Sequence, residues 1–365
     1  MKRLLVIALL RVIVIGVATD STTVAGLVVK SQSSSQSSPQ QVQQQQQVAV
    51  IGTTGNIGRA AIAQLSNANI RTRCLLRHDI SNSNSNDASS SVKIAASLAS
   101  LNGVTMVKGD VTNKESIANL IEGCDAVLCL QGPSRPNPIL SLLPFLSFVK
   151  SKASSSSTRS SHPYMINYVG MQNVIQAVKE QQQKDSTTKP TVKRIVRLTG
   201  KGEQPFSFFT ILINMLGSMA KAWNYEGEQL LRKSGIEYTI VRPGLLKSKD
   251  DYNIPPKAKM IKDNGGDLRV SPVTYDQIAN VCIDSLGYHN CAKTTLTVMN
   301  VEEGQGYDDY SEILPLVQMD ELENDRYPES LLEKHRMGAR IGFVALCLFA
   351  FGVVNAIKGI VGLFL

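Results

Sequence analysis

The segment VAVIGTTGNIGRAAIAQL at 48–65 constrains this chain more than any other. The apolar run at 48–51 reads as a buried strand, and the apolar period then turns helical through Ile57, Ala61, Ile62 and Leu65. Gly52, Gly55 and Gly58 therefore fall on a strand–turn–helix corner. Glycines at such a corner have separate uses: one turns tightly, one lets backbone approach a diphosphate, and one lets the helix pack on the strand. The free N–H groups of the helix N-terminus then face the anion. A glycine-rich connector in some other α/β protein would look the same, so the reading depends on the rest of the chain.

Beyond the corner, strand-like and helix-like segments alternate, the pattern of a parallel sheet covered on both faces. Strands are expected at 48–51, 70–76, 104–109, 125–130, 194–200, 238–244 and 295–300, with helices near 113–121, 164–179 and 275–285. The stretch 205–223 is apolar almost all round and reads as one long helix: a pocket wall, a surface resting on a bilayer, or a helix buried against the sheet. Ser-, Asn- and Gln-rich inserts at 81–91, 151–161 and 181–189 read as surface loops.

The two ends differ from this middle. Residues 1–18 have a basic start, an apolar stretch interrupted by Arg11, and small residues suited to cleavage, a signal-like leader. Residues 19–47 are rich in Ser and Gln with the single acid Asp20, a transit-like region or a linker. Together they resemble the two-part leader of algal plastids bounded by extra membranes; an ordinary secretory leader is the alternative. At the other end, 341–365 has seventeen residues before its first charge, Lys358. As a helix its 25 residues would reach about 37 Å, enough to span a bilayer. Lys334, Arg336 and Arg340 precede it, which sets the main domain on the cytosolic or stromal side. The expected organisation is thus a domain at 48–301, a polar linker at 302–340 and a transmembrane anchor at 341–365.

The net charge of +8 is spread along the chain without a basic cluster interleaved with aromatics, so no nucleic-acid partner is expected. The six cysteines form no C-x-x-C pair and fall mostly in apolar segments, which suggests buried thiols. The four histidines form no zinc-type motif, and no metal is expected.

The corner GTTGNIG, KGDVTN at 108–113 and above all NYEGEQLLRKSGIEYTIVRPG at 224–244 resemble the atypical short-chain dehydrogenase/reductases, in the NAD(P)H-binding group that includes NmrA-like and biliverdin-reductase-B-like proteins. The resemblance covers roughly 48–301 and implies a Rossmann-type, doubly wound parallel sheet. It further implies that Thr53, Thr54, Asn56 and Ile57 line the diphosphate turn with Gly52, Gly55 and Gly58. Asp110 and Val111 would flank the adenine, and Gln131 and Gly132 would approach the ribose side. Pro243 and Gly244 would stand near the nicotinamide, although a turn alone also explains them. Arg77 ends the second strand, where an acid would favour NAD; its guanidinium suits a 2′-phosphate, so the expected cofactor is NADP(H).

Relatives often use Y-x-x-x-K, a tyrosine acid with a lysine that lowers its pKa. None of the ten tyrosines has such a lysine, and alignment on Glu228 puts Ala220 and Asn224 at the two positions. Thr199, Lys201 and Tyr225 are the polar candidates nearby. Two readings follow: a reductase of a small apolar substrate that protonates by another group or by water, or a protein that binds NADP(H) without turnover as a redox sensor or scaffold. An epimerase or dehydratase would need an acid/base pair not visible in the sequence.

Overall fold

The computed structural model describes residues 47–77, 89–132, 161–184, 191–248, 259–262, 271–320 and 327–363. The leader, the Ser/Gln-rich region to residue 46 and most of the three inserts lie outside the described residues.

The chain opens with β1 (Gln47–Ile51), α1 (Asn56–Asn67), β2 (Arg71–Leu76), α2 (Ser90–Ala99), β3 (Val104–Lys108), α3 (Lys114–Ile121) and β4 (Ala126–Cys129). A π-helical turn, Tyr164–Val169, runs directly into α4 (Gly170–Lys184), followed by β5 (Arg194–Leu198), α5 (Phe208–Leu216), α6 (Ala220–Arg232) and β6 (Glu237–Pro243). Then come β7 (Leu245–Lys247), β8 (Lys259–Lys262), β9 (Pro272–Thr274), α7 (Tyr275–Asp284), β10 (Thr294–Asn300) and the long α8 (Leu332–Leu363). The main sheet has the order β3-β2-β1-β4-β5-β6-β10-β8; only β8 runs antiparallel, against β10. This is a Rossmann-type sheet, and its order reverses between β1 and β4, the crevice where such sheets bind ligands.

Alternation along the strands divides the core. Val48, Val50, Leu128, Val196 and Val241 face one way, onto α1 and α7. Ala49, Ile51, Val127, Ile195 and Ile240 face the other, onto α3, α4 and Leu231 of α6. A period of two in nearly continuous apolar runs is what a sheet covered on both faces requires. Local chemistry sets several helix starts: Asn113 accepts from Ser116 N at 2.7 Å, and Thr274 and Gln277 form a capping box on α7.

Four expectations are corrected. The Ser/Asn-rich insert at 81–91 runs into a helix, α2, which buries Val92, Ala95 and Leu98. Gln181 and Gln182, expected in a loop, sit in α4 and bond the backbone of Ile121 at the end of α3 and of Val192 just before β5. The apolar stretch 205–223 breaks into α5 and α6, because Gly217 is followed by Ser218 and Met219 with φ of 51° and 65°. Finally, the described parts of 302–340 do not behave as a free linker. Tyr310, Ile313, Leu314 and Val317 join the α1/α7 core, Asp320 bonds Thr295, and α8 begins at Leu332 rather than 341. Cysteines 74, 124, 129, 282 and 291 are buried free thiols, and Cys347 on α8 is exposed.

Burial, with Asp309 nearby, lifts the pKa of Asp284 at the end of α7 from 3.8 to about 6. A carboxyl whose pKa rises on folding favours the fold at low pH and disfavours it as pH climbs through the folded value. Asp284→Asn is therefore expected to stabilise the protein on the order of 2 kcal/mol at neutral pH, after allowance for partial exposure, and to lose that advantage near pH 4. Urea unfolding of both proteins across that range checks it.

Candidate functional site

The glycine corner sits at the C-terminal end of β1, against the start of the segment that leaves β4. Gly52 has φ of +98°, and a Cβ there would stand 2.6 Å from Gln131 N; at Gly58 it would stand 2.1 Å from Gly52 O. Neither place admits a side chain. Gly55 caps α1 with no side-chain acceptor, and the first turn carries no acid, so its N–H groups face outward with the positive end of the helix dipole. Gly55 and Asn56 are exposed, Thr54 is half-buried, and Ile57 is packed into the core. Thr53 is buried and donates to Leu75 O at 2.7 Å. That bond holds the glycine turn against the end of β2, two residues before the exposed Arg77.

The other expected cofactor residues surround this crevice. Asp110 Oδ1 accepts from Thr112 N and Oγ1, each at 2.8 Å, which shapes the turn after β3. Val111 is buried against Gly170, and its carbonyl accepts from Asn173. Both amide atoms of Gln131 are buried without a hydrogen-bond partner. An unsatisfied buried amide costs about 1–3 kcal/mol, so this group fits a ligand that completes it. A Cβ on Gly132 would meet nothing within 4 Å, so a ligand could approach its backbone closely. Gly244 has a structural reason of its own: a Cβ there would meet Ser271 O at 2.1 Å, while its N–H donates to Val298 O. Pro243, paired with Val298 in the sheet, is half-buried beside it.

The motif residues that carried the resemblance form a buried ionic clamp. Glu228 of α6 takes both Nε and Nη2 of Arg242 from β6, and Arg232 Nη2 lies 3.1 Å from its second oxygen. Arg242 also pairs with Glu203, while Arg232 bonds Thr295 Oγ1 at 2.9 Å and lies 3.7 Å from Asp320. The Tyr327 ring lies over the Arg232 guanidinium at 3.9 Å. Burial alone would push the Glu228 carboxyl up, but Arg242 and Arg232 outweigh it and hold the group below the usual carboxylate range. The same pairing raises Arg242 against its own burial.

This clamp redefines the expected catalytic candidates. The Thr199 hydroxyl donates to Glu228, so it is part of the clamp. Tyr225 is buried with its hydroxyl on Pro328 O at 2.6 Å, and burial raises its pKa above the ordinary value. It points to the 327–331 segment rather than to the end of β5, which argues against an acid role. Lys201 is half-buried in the loop after β5.

Two groups at this edge escaped the sequence reading. Arg197 on β5 is fully buried and reaches Asn167 Oδ1 at 3.2 Å and Asn224 Oδ1 at 3.5 Å; its Nε and Nη1 have no partner. Its guanidinium thus comes to the residue standing at the missing lysine's position. Lys221 Nζ lies 3.1 Å from where a Cβ on Gly200 would be, and burial, then Arg242, lower its pKa. Nothing in the local sequence signals either, since both depend on how α6 lies across β5. Among the described residues no cluster of three His, Cys, Asp or Glu could hold a metal ion.

A family profile described as NAD(P)H-binding matches residues 52–288. The chain is 24% identical to the chloroplast protein TIC 62 of Arabidopsis thaliana over 213 residues, 56% of this chain and 28% of that protein. It is 26% identical to an uncharacterized chloroplast protein of the same plant, At2g34460, over 241 residues, 66% of this chain and 71% of the other. A second uncharacterized chloroplast protein, At2g37660, is matched over 56% of its length, so the chain spans only part of these relatives. A solved short-chain dehydrogenase/reductase of Veillonella parvula in complex with NADP aligns over 72% of this chain and 98% of its own, with 14% identity and a TM-score of 0.47.

Removing Glu228 would take the shared carboxylate from two buried guanidiniums, leaving Arg242 to Glu203 and Arg232 to Thr295 and Asp320. Glu228→Ala is expected to cost about 3–5 kcal/mol of stability, enough to unfold a marginal domain, whereas Glu228→Gln should lose less because the amide oxygen still accepts. Thermal unfolding of the two variants beside the parent checks the order.

Proposed function

The chain belongs to the NAD(P)H-binding family, and on that premise we propose that it is a membrane-anchored NADP(H)-dependent reductase of the plastid that acts on an apolar substrate. One arrangement carries the cofactor part of this reading: a glycine turn that admits no side chain, with the orphaned Gln131 amide on one side and Arg77 on the other. In this proposal the N–H groups of 52–58 hold the diphosphate, with Thr53, Thr54, Asn56 and Ile57 shaping the turn. Arg77 pairs with the 2′-phosphate, Asp110 and Val111 flank the adenine, Gln131 and Gly132 meet the ribose side, and Pro243 and Gly244 bound the nicotinamide end. NADP(H), when bound, supplies the hydride.

Proton delivery falls to this chain's own groups. With the Thr199 and Tyr225 hydroxyls committed elsewhere, two lysines of the β5 edge, Lys201 and Lys221, are the candidates. Lys221 suits the task better, because burial lowers its pKa and makes its ammonium the stronger acid. The apolar stretch of α5 supports an apolar substrate. The chloroplast relatives support the plastid, and α8, which from Leu332 to Lys358 is long and apolar enough to cross a membrane, supports the anchor.

A second reading, NADP(H) binding without turnover as a redox sensor or scaffold, is favoured by Ala220 and Asn224 at the positions of the acid and its lysine. Consumption of cofactor separates the two, since a scaffold binds NADPH without oxidising it.

Titration calorimetry of the full chain in detergent is expected to show NADPH bound more tightly than NADH. Arg77→Ala should remove about 10- to 100-fold of that preference, at about 1.4 kcal/mol per tenfold, and leave NADH affinity unchanged. Failure of both nucleotides to bind would overturn the proposal.

A further inference from the structure

Between Glu203 and Lys221 the chain carries no charged residue. α5, at the centre of that stretch, turns Thr210, Asn214 and Met215 inward. Its opposite side and the turn before it leave three aromatic rings in the open: Phe206 is 48% exposed, Phe208 56% and Phe209 61%. Three neighbouring exposed phenylalanines, one in the turn and two in the first turn of an uncharged helix, form a patch that water does not favour.

The neighbour of this patch identifies what covers it. α8 rests on α5 with almost no space between them: a Cβ on Gly338 would stand 2.8 Å from Pro205 O, and one on Gly342 would stand 2.3 Å from Ile211 Cγ2. His335 locks the crossing, with Nδ1 3.0 Å from Asn214 Nδ2 and Nε2 2.8 Å from Gly202 O. α8 stays against α5 through Gly342 and the half-buried Leu346, while Ile341 and Val344 on its other side are exposed. The phenylalanines therefore lie beside the turns of α8 where its apolar stretch begins, with Phe206 Cδ1 3.6 Å from where a Cβ on Gly338 would be. Lys334 and Arg340 are exposed in the same turns of α8, and Lys221 Nζ sits 5.6 Å from the Phe209 ring centroid. An aromatic group beside cations at the mouth of an apolar span is the composition of a membrane interface.

We propose that α5, with Phe206, lies in the headgroup region of an anionic bilayer beside α8, so that the domain is seated on the membrane at two points and the end of β5 faces lipid. This rests on the reading of α8 as a membrane anchor. The lock at His335 fixes the angle between the two helices, so insertion of α8 brings α5 to the surface. Lys221 spans from Phe209 to Gly200, which puts the reacting edge of β5 one side chain from the interface. A substrate dissolved in the bilayer then reaches the nicotinamide end without crossing bulk water.

The test uses the full chain in vesicles of phosphatidylcholine and phosphatidylglycerol, with and without brominated acyl chains, and tryptophan as the probe. Phe209→Trp reports on α5, Val344→Trp on α8, and Asn102→Trp on the opposite edge of the sheet; the native Trp223 signal of the parent is subtracted. We expect bromine to reduce the added fluorescence about twofold or more for Phe209→Trp and Val344→Trp and to leave Asn102→Trp unchanged. Quenching of Val344→Trp without quenching of Phe209→Trp would overturn the seating and leave the anchor intact. No quenching of Val344→Trp would overturn the anchor and the seating with it.

Discussion

Glu228 has no exposure to solvent, and an ionised carboxylate in that position is tolerable only because two guanidiniums reach it from different elements. Arg232 comes from one turn further along α6, and Arg242 from β6. The clamp thereby fixes how α6 lies over the sheet, and much else follows from that placement. Thr199 of the β5 edge is drawn into it, and Thr295 on β10 answers Arg232. β10 alternates accordingly, with Leu296 and Val298 toward the apolar side and Thr295 toward the ionic one.

The outer side of α6 carries the next layer. Tyr225 and Gln229 hold Pro328, Glu226 holds Ser330 and Leu331, and the chain then enters α8 with His335 already tied to the loop after β5. A buried pair inside the domain is thus connected, through hydrogen-bonded neighbours, to the direction in which the apolar helix leaves. Chemistry pays in the same region: a hydroxyl that accepts a place in a charge clamp is poorly available as a proton donor. The charge at the β5 edge comes instead from Arg197, two of whose guanidinium nitrogens are buried without a partner, and from Lys221, whose pKa burial lowers.

Legibility in the sequence followed the range of the interaction. The glycine corner was readable because turn, cradle and helix start lie within seven residues and each has a steric cause. Most strands were readable as short apolar runs, and α3 and α7 by their period. α2 was missed because a Ser/Asn run masks a helix that buries only three side chains. The break at 217–219 was missed because left-handed backbone at Ser218 and Met219 has no compositional signal of its own. β7 and β9 are three residues each and exist through each other, so no local period announces them.

The sequence by itself determined the sheet class, the glycine turn, the basic residue after β2 and the apolar C-terminal segment, since each depends on residue type at fixed local spacing. Only the tertiary structure decided which polar groups are available. Glu228 and Arg242 are fourteen positions apart, Gly202 and His335 far more, and their contacts depend on how α6 and α8 cross the sheet edge. The same crossing placed the Thr199 hydroxyl on Glu228 and the Tyr225 hydroxyl on Pro328 and brought Arg197 to Asn224, because burial and partnership are properties of packing.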